Sequence, residues 1–169
     1  MLLLVLMVPL VLVGAAVGGI YWLRDQVEHP PDNSGRPGSW LTVPSEFVAE
    51  FSRVRPPASA TEVRWSYLKG LQDDQAFLAF RLPPGEEQAF LAGLGISVKP
   101  GTGISLGGWS VTGFQRAGAP DPKAAGPLRE GSFLAEPLPG HNKRLAATLR
   151  LATEADGGTR VWVEAGDAP

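Results

Sequence analysis

Cysteine is absent from the chain, and histidine occurs only as His29 and His141. Without thiols the chain has no disulfide, no thiolate metal site, no cysteine nucleophile and no lipid-modified cysteine. Two histidines far apart in the sequence do not suggest a zinc cluster, and His29 is best interpreted as a solvated linker residue. We therefore predict no metal ion and no cofactor.

A surplus of basic charge is also missing, because 15 Lys and Arg residues stand against 17 Asp and Glu residues, a net charge of −2. Binding to nucleic acid would require a clustered basic surface, so we exclude nucleic acid as the main partner. All of these charged side chains follow residue 23. The beginning of the chain is therefore entirely uncharged in its side chains.

Residues 2–23 form one apolar run that contains seven leucines, five valines and one isoleucine. As a helix this run would be about 33 Å long, against a hydrocarbon core of about 30 Å. Tyr21 and Trp22 lie at its end, where aromatic rings favour the headgroup zone, and Arg24 and Asp25 close it. We predict a transmembrane anchor over residues 1–25, which makes the membrane the first predicted partner.

A cleaved secretory signal is the alternative interpretation of the same run. Residues 2–13 have the length of a signal core, and Gly14-Ala15-Ala16 resembles a small-residue cleavage site. Against a signal, no Lys or Arg precedes the run, and the apolar residues continue to Leu23. Both interpretations place the remaining chain outside the cytoplasm, as the domain of a single-pass membrane protein or as a secreted domain. The arginines that follow the run favour a cytoplasmic domain only weakly.

Residues 26–42 are rich in proline and glycine and lack a periodic apolar pattern, which predicts a flexible linker. Residues 43–166 then form the predicted folded domain. Helical spacing and strand alternation mark its elements. In chain order they are a helix over 44–53, strands over 61–67 and 75–82, a helix over 88–94 ended by Gly95, and strands over 145–151 and 159–165.

The fold class that these elements predict is α+β. After the transmembrane helix we expect a two-layer domain with a four-stranded, mainly antiparallel sheet of two hairpins and one or two helices on one face. Residues 95–142 contain ten glycines and six prolines and are predicted to be an insertion. Within that insertion, residues 109–112 are predicted to add a short edge strand.

The motifs in residues 58–65, 72–74, 80–83 and 89–91 are those of a hairpin followed by a helix. They resemble small membrane-anchored or secreted proteins of actinobacteria. The resemblance covers about a quarter of the chain. It implies an exported location, but no site, because that group has no established activity.

Strand alternation places a basic and aromatic set of side chains on the sheet face opposite the predicted core. Such a face can bind an anionic ligand, a phospholipid headgroup or the acidic surface of a protein partner. The alternative is a solvated face on which arginine stems cover the aromatic rings. The candidate ligand-binding residues, which lie beside Glu164, are Arg64, Arg81, Arg150, Arg160, Trp162 and Phe77.

Two sequence patterns resemble catalytic motifs but lack the structural context in which those motifs act. Residues 103–107 match the G-x-S-x-G elbow of serine hydrolases, and Asp121 and His141 follow in order. However, Gly107 and Gly108 disfavour the helix that must follow the nucleophile. The pair Asp73-Asp74 is better explained by turn geometry than by metal binding or acid–base chemistry.

We therefore predict a non-enzymatic, membrane-tethered envelope protein that binds a protein partner, an anionic ligand or a membrane surface. One alternative is a small serine hydrolase that uses Ser105 and His141. The other is an accessory subunit of a membrane complex.

Overall fold

Seven strands form one sheet in the computed structural model, which describes residues 38–70, 73–101, 108–137 and 143–167. The strands are β1 (Ser39–Leu41), β2 (Thr61–Lys69), β3 (Gln75–Leu82), β4 (Lys99–Pro100), β5 (Arg129–Ala135), β6 (Leu145–Thr153) and β7 (Thr159–Asp167). Their order across the sheet is β1-β2-β3-β7-β6-β5-β4, and every neighbouring pair is antiparallel.

Both predicted hairpins are confirmed, as β2–β3 and as β6–β7. Strand β7 lies between β3 and β6 and joins the two hairpins into one sheet. Leu78 pairs with Val163, which pairs with Leu149, so one apolar row crosses the middle of the sheet. The sheet thus continues without a break from one hairpin to the other.

One side of the sheet, here called the α1–α2 face, is covered by helices α1 (Ser45–Ser52) and α2 (Glu87–Leu94). Both helices are confirmed close to their predicted bounds. Val48 and Phe51 of α1 and Leu91 of α2 pack into the main apolar cluster. As predicted, Gly95 ends α2, with φ at 67°, a left-handed conformation that glycine adopts without a steric penalty.

The opposite side, here called the α3 face, is covered by helix α3 (Gly108–Arg116) and by a 3-10 helix (Pro122–Ala124). Phe114 of α3 packs edge-on against Phe77, with ring centroids 5.5 Å apart. A Cβ at Gly113 would lie only 2.5 Å from the ring of Phe77, so α3 requires glycine there. Ser66 Oγ donates to the carbonyl oxygen of Gly113 at 2.7 Å and holds the helix to β2.

The predicted fold is therefore wrong in its layers and strand number, although the α+β class is right. The sheet has seven strands rather than four, because β1, β4 and β5 extend it beyond the two hairpins. Helices pack on both faces rather than one. Residues 109–112, predicted as an edge strand, belong to α3 because packing on Phe77 overrides their strand propensity. Residues 95–142, predicted as an insertion, contribute β4, α3 and β5.

The beginning of the folded domain also differs from the predicted boundary, since Ser39–Leu41 of the predicted linker pair with β2. Over residues 38–70, 73–101, 108–137 and 143–167, no helix has the length and apolar character needed to cross a membrane. The predicted transmembrane stretch, residues 2–23, lies outside the described residues.

Candidate functional site

The predicted ligand-binding residues do share one side of the sheet, which is the α3 face. Arg64 pairs with Ala79, Ala79 with Trp162 and Trp162 with Arg150, so these positions form one row across four strands. Arg81 pairs with Arg160 in the next row. Phe77 and Trp162 are fully buried, because α3 and the residues after it cover this face.

Arg81 and Arg160 are held by carboxylates of the same chain. Arg81 Nε donates to Glu154 Oε2 at 2.6 Å, and its guanidinium also pairs with Asp156. Arg160 Nε donates to Glu154 Oε1 at 3.0 Å, and its Nη1 donates to Glu62 Oε2 at 2.7 Å. The hydrogen bond from Arg160 lowers the pKa of Glu62. Glu154 thus bridges two arginines, and both charges are balanced within the domain.

Arg150 is buried beneath α3 with a partner of its own. Its Nη1 donates to Glu164 Oε2 at 3.0 Å, and Ser110 Oγ of α3 donates to Glu164 Oε1 at 2.7 Å. The Nη2 atom lies 4.0 Å from Glu130, whereas the buried Nε has no hydrogen-bond partner. This arginine therefore joins α3 to the sheet through Glu164.

Arg64 differs from the other three predicted arginines because it is exposed. Within the described ranges no carboxylate lies within ion-pairing distance of its guanidinium. Binding of an anion to this face stays a prediction. Any such anion would have to compete with the internal carboxylates at Arg81, Arg150 and Arg160.

A cleft of about 380 Å³ opens on the α3 face beside Arg160 and Trp162. Its lining combines alanines with the carboxylates of Asp121 and Glu154. The indole nitrogen of Trp162 is not available to a ligand, because it donates to the carbonyl oxygen of Pro120 at 2.8 Å. The polar groups around this cleft are thus largely engaged in holding the fold together.

The predicted hydrolase residues Ser105 and His141 lie outside the described residues. Asp121, the third member of that order, accepts a hydrogen bond from the backbone of Lys123 at 2.9 Å and caps the 3-10 helix. Among the described residues, no group of three histidine, aspartate or glutamate side chains is placed to hold a metal ion.

Asp74 organises the turn between β2 and β3, as predicted from its position. It accepts hydrogen bonds from Tyr67 Oη at 2.5 Å, from Lys69 Nζ at 2.8 Å and from the backbone of Gly70 at 3.1 Å. Burial raises the pKa of this carboxyl, but the three hydrogen bonds outweigh burial and lower it overall. The neighbouring Asp73 pairs with Lys143 across the loops.

An open groove beside Trp65 lies on the α1–α2 face, at the outer end of the sheet. Trp65 of β2 is 38% exposed, which is unusual for a large apolar side chain of this domain. Phe47 of α1 is 41% exposed but packs against Phe51 and Tyr67 and does not line the groove. The indole of Trp65 is fixed by donation from Nε1 to the carbonyl oxygen of Val43 at 2.9 Å. The groove, here called the Trp65 groove, has a volume of about 330 Å³, and its lining is Ser45, Glu46, Ala49, Arg55, Pro56, Pro57, Val63, Trp65 and Leu78.

Sequence reasoning missed this groove because Trp65 shares its alternation with Val63 and Tyr67, which predicts an inward and covered side chain. Helix α1 ends at Ser52, and the chain then turns away through Pro56 and Pro57. The short helix covers Tyr67 but leaves Trp65 half open. The prolines that end α1 early are the sequence feature from which the groove could have been predicted.

The chain matches no protein-family model, no curated protein and no solved structure.

Proposed function

We propose that the chain is a non-enzymatic, membrane-tethered envelope protein whose folded domain binds a protein partner in the Trp65 groove. The apolar run over residues 2–23 would serve as the tether, and the linker after it would hold the domain near the membrane surface. The exposed indole of Trp65, which lines the groove and is 38% exposed, is the observation that carries the proposal.

Tryptophan and other aromatic residues supply most of the binding energy at protein interfaces, where they sit in pockets that exclude water. The Trp65 groove offers one such aromatic residue, beside Val63 and Leu78. Its walls come from α1 and from Pro56 and Pro57, and the hydrogen bond to Val43 fixes the indole. A rigid aromatic surface loses little side-chain entropy on binding, which favours affinity.

The electrostatics favour a protein partner over an anionic ligand. Arg81, Arg150 and Arg160 already have carboxylate partners, so a free anion would have to displace one of them. Displacement would leave a partly buried carboxylate without its guanidinium, which is costly. An apolar partner surface in the Trp65 groove requires no such exchange.

The test uses the full-length chain in detergent, labelled with fluorotryptophan, and a displayed library of short random peptides. Fluorine NMR of the labelled chain, with the resonance assigned through Trp65→Phe, reports whether a selected peptide occupies the groove. We expect selected peptides to shift this resonance and to bind Trp65→Ala about thirtyfold more weakly, as for an interface hot spot. Leu134→Ala is the matched control, because Leu134 is 63% exposed but lies on β5, four strands away from β2.

A library that yields no peptide able to shift the Trp65 resonance would contradict the proposal. Covalent labelling of Ser105 by a fluorophosphonate probe would support the hydrolase alternative instead. Peptides that lose equal affinity on Trp65→Ala and Leu134→Ala would point to nonspecific apolar adsorption.

A further inference from the structure

The rim of the Trp65 groove carries one arginine and one glutamate, which come from different parts of its wall. Glu46 lies in the first turn of α1, and Arg55 lies on the segment that follows α1. Both residues are exposed, and within the described ranges neither has an oppositely charged side chain at ion-pairing distance. The groove therefore combines an apolar floor with two unpaired charges of opposite sign.

The position of Arg55 is fixed by its neighbours in the chain. Arg53 has φ at 57°, a left-handed conformation that ends α1 and turns the chain away from the helix axis. Val54 is then fully buried in the main apolar cluster, and Pro56 follows with a φ that its ring restricts. The backbone on both sides of Arg55 is thus held, which keeps its guanidinium beside the groove.

Arg55 differs in this respect from the arginines of the α3 face. Arg81, Arg150 and Arg160 are paired with carboxylates of the same chain, so an external acid would have to displace a partner. Arg55 has no such partner among the described side chains, and an acid from outside could pair with it without any exchange. It is the charge of this groove that a partner can neutralise at the least cost.

Glu46 restricts where such an acid can lie. A carboxylate in the first turn of a helix is favourable for the helix itself, but it remains negative and repels a second carboxylate nearby. An acid in the groove is therefore attracted on the side of Arg55 and repelled on the side of Glu46. Repulsion of this kind contributes to selectivity as much as attraction does.

We infer that the partner presents an acidic and apolar protein segment, whose apolar side chain enters the Trp65 groove while a neighbouring carboxylate pairs with Arg55. This inference rests on the proposed function and specifies the chemistry of the partner. The apolar side chain packs against Val63, Trp65 and Leu78 and supplies most of the affinity. The carboxylate sets the orientation of the segment, as charges at the rim of an interface do.

A double-mutant cycle tests the pairing, with the full-length chain in detergent and the tightest peptide selected for the Trp65 groove. One change is Arg55→Gln, and the other replaces each acid of the peptide in turn by its amide. We expect the acid beside the apolar residue and Arg55→Gln each to weaken binding about two- to fivefold, as for an exposed ion pair. Both changes together should cost no more than either one, and salt at about 1 M should abolish the difference.

Two matched controls remove the same charges elsewhere. Arg116→Gln neutralises an exposed arginine of α3 on the opposite face and should leave binding unchanged. Glu46→Gln should strengthen binding of a peptide with acids on both sides of the apolar residue about two- to fivefold. Glu50→Gln should not, because Glu50 is an exposed residue of α1 that does not line the groove.

The outcomes separate this inference from the proposed function. Peptides that shift the Trp65 resonance but carry no acid, or whose acid shows no coupling to Arg55, would overturn the inference and leave partner binding intact. Selected peptides that carry a base beside the apolar residue and lose affinity on Glu46→Gln would reverse the charge assignment and also overturn it. Failure of every peptide to shift the Trp65 resonance would remove both proposals.

Discussion

Trp65 and Trp162 make the same hydrogen bond in opposite surroundings. Each indole nitrogen donates to a backbone carbonyl oxygen, at 2.9 Å to Val43 and at 2.8 Å to Pro120. Yet Trp162 is 1% exposed on the α3 face, whereas Trp65 is 38% exposed on the α1–α2 face. The charged face of the sheet is closed, and part of the apolar face is open.

The reason lies in how each face is covered. On the α3 face Arg81, Arg150 and Arg160 are neutralised by Glu62, Glu154 and Glu164, so this part of the face can be covered without burying an unpaired charge. On the α1–α2 face α1 has only eight residues and does not reach the outer part of β2. Charged composition alone therefore does not identify an accessible surface in this domain.

The largest expected effect is the difference in stability loss between alanine substitutions of the two tryptophans. Trp162→Ala should lower the free energy of unfolding by about 3–5 kcal/mol, since it removes a buried side chain from the α3 face. Trp65→Ala should cost clearly less, because more than a third of the indole is already in water. Urea unfolding followed by circular dichroism measures both. Equal losses would show that Trp65 is covered in solution.

The next contrast uses one glycine from a helix on each face. Gly113→Ala should destabilise the domain by up to about 3 kcal/mol, because the new methyl group would meet the ring of Phe77. Gly93→Ala in α2 should instead stabilise it by about 0.5–1 kcal/mol, since its Cβ would meet no atom within 4 Å. Thermal unfolding compares the two. A harmless Gly113→Ala would contradict the close approach of α3.

A smaller loss is expected for the ion pairs of the α3 face. Arg160→Ala should cost about 1–2 kcal/mol, because Glu62 and Glu154 lose their hydrogen bonds but keep contact with water or with Arg81. Arg64→Ala is the control, and its effect should stay within about 0.5 kcal/mol, as for an exposed side chain. If urea midpoints of the two variants coincide, the network does not stabilise the face.

The smallest expected effect concerns pH and Asp74, a buried carboxylate beside Tyr67 of the α1–α2 face. Its folded pKa lies below the value for an unfolded chain, about 3.9. Its contribution to stability is therefore present above about pH 4 and is lost as the pH falls through the folded pKa. Asp74→Asn should flatten the acid limb of a stability–pH curve. An unchanged limb would assign acid sensitivity to the carboxylates of the α3 face, such as Glu62.

Local patterns were sufficient to predict the two hairpins and helices α1 and α2. Alternation over residues 75–82 and the spacing of Val48 and Phe51 depend on neighbours in the chain, so they can be read from the sequence. The strand predicted for residues 109–112 was wrong because their strand propensity is overridden by packing of α3 on Phe77, which is distant in the sequence. The short strands β1 and β4 have only three and two residues and carry no readable period.

The candidate site was predictable only in part, for a related reason. Alternation gave the correct face for Arg81, Arg150 and Arg160, because side-chain direction is a local property of a strand. It did not give their partners, since Glu62 lies 98 positions from Arg160. It also did not predict the Trp65 groove, which exists because a neighbouring helix is short.

The position of β7 has a consequence for how the chain is made. Among the seven described strands, the last in chain order is the central one, with β3 on one side and β6 on the other. Until it arrives, the hairpin of β2 and β3 has no partner along its inner edge, and the β5–β6 pair has none either. The domain therefore cannot finish folding before β7 has been made, and a chain interrupted before residue 159 would be an aggregation hazard and a substrate for proteases rather than a smaller working domain.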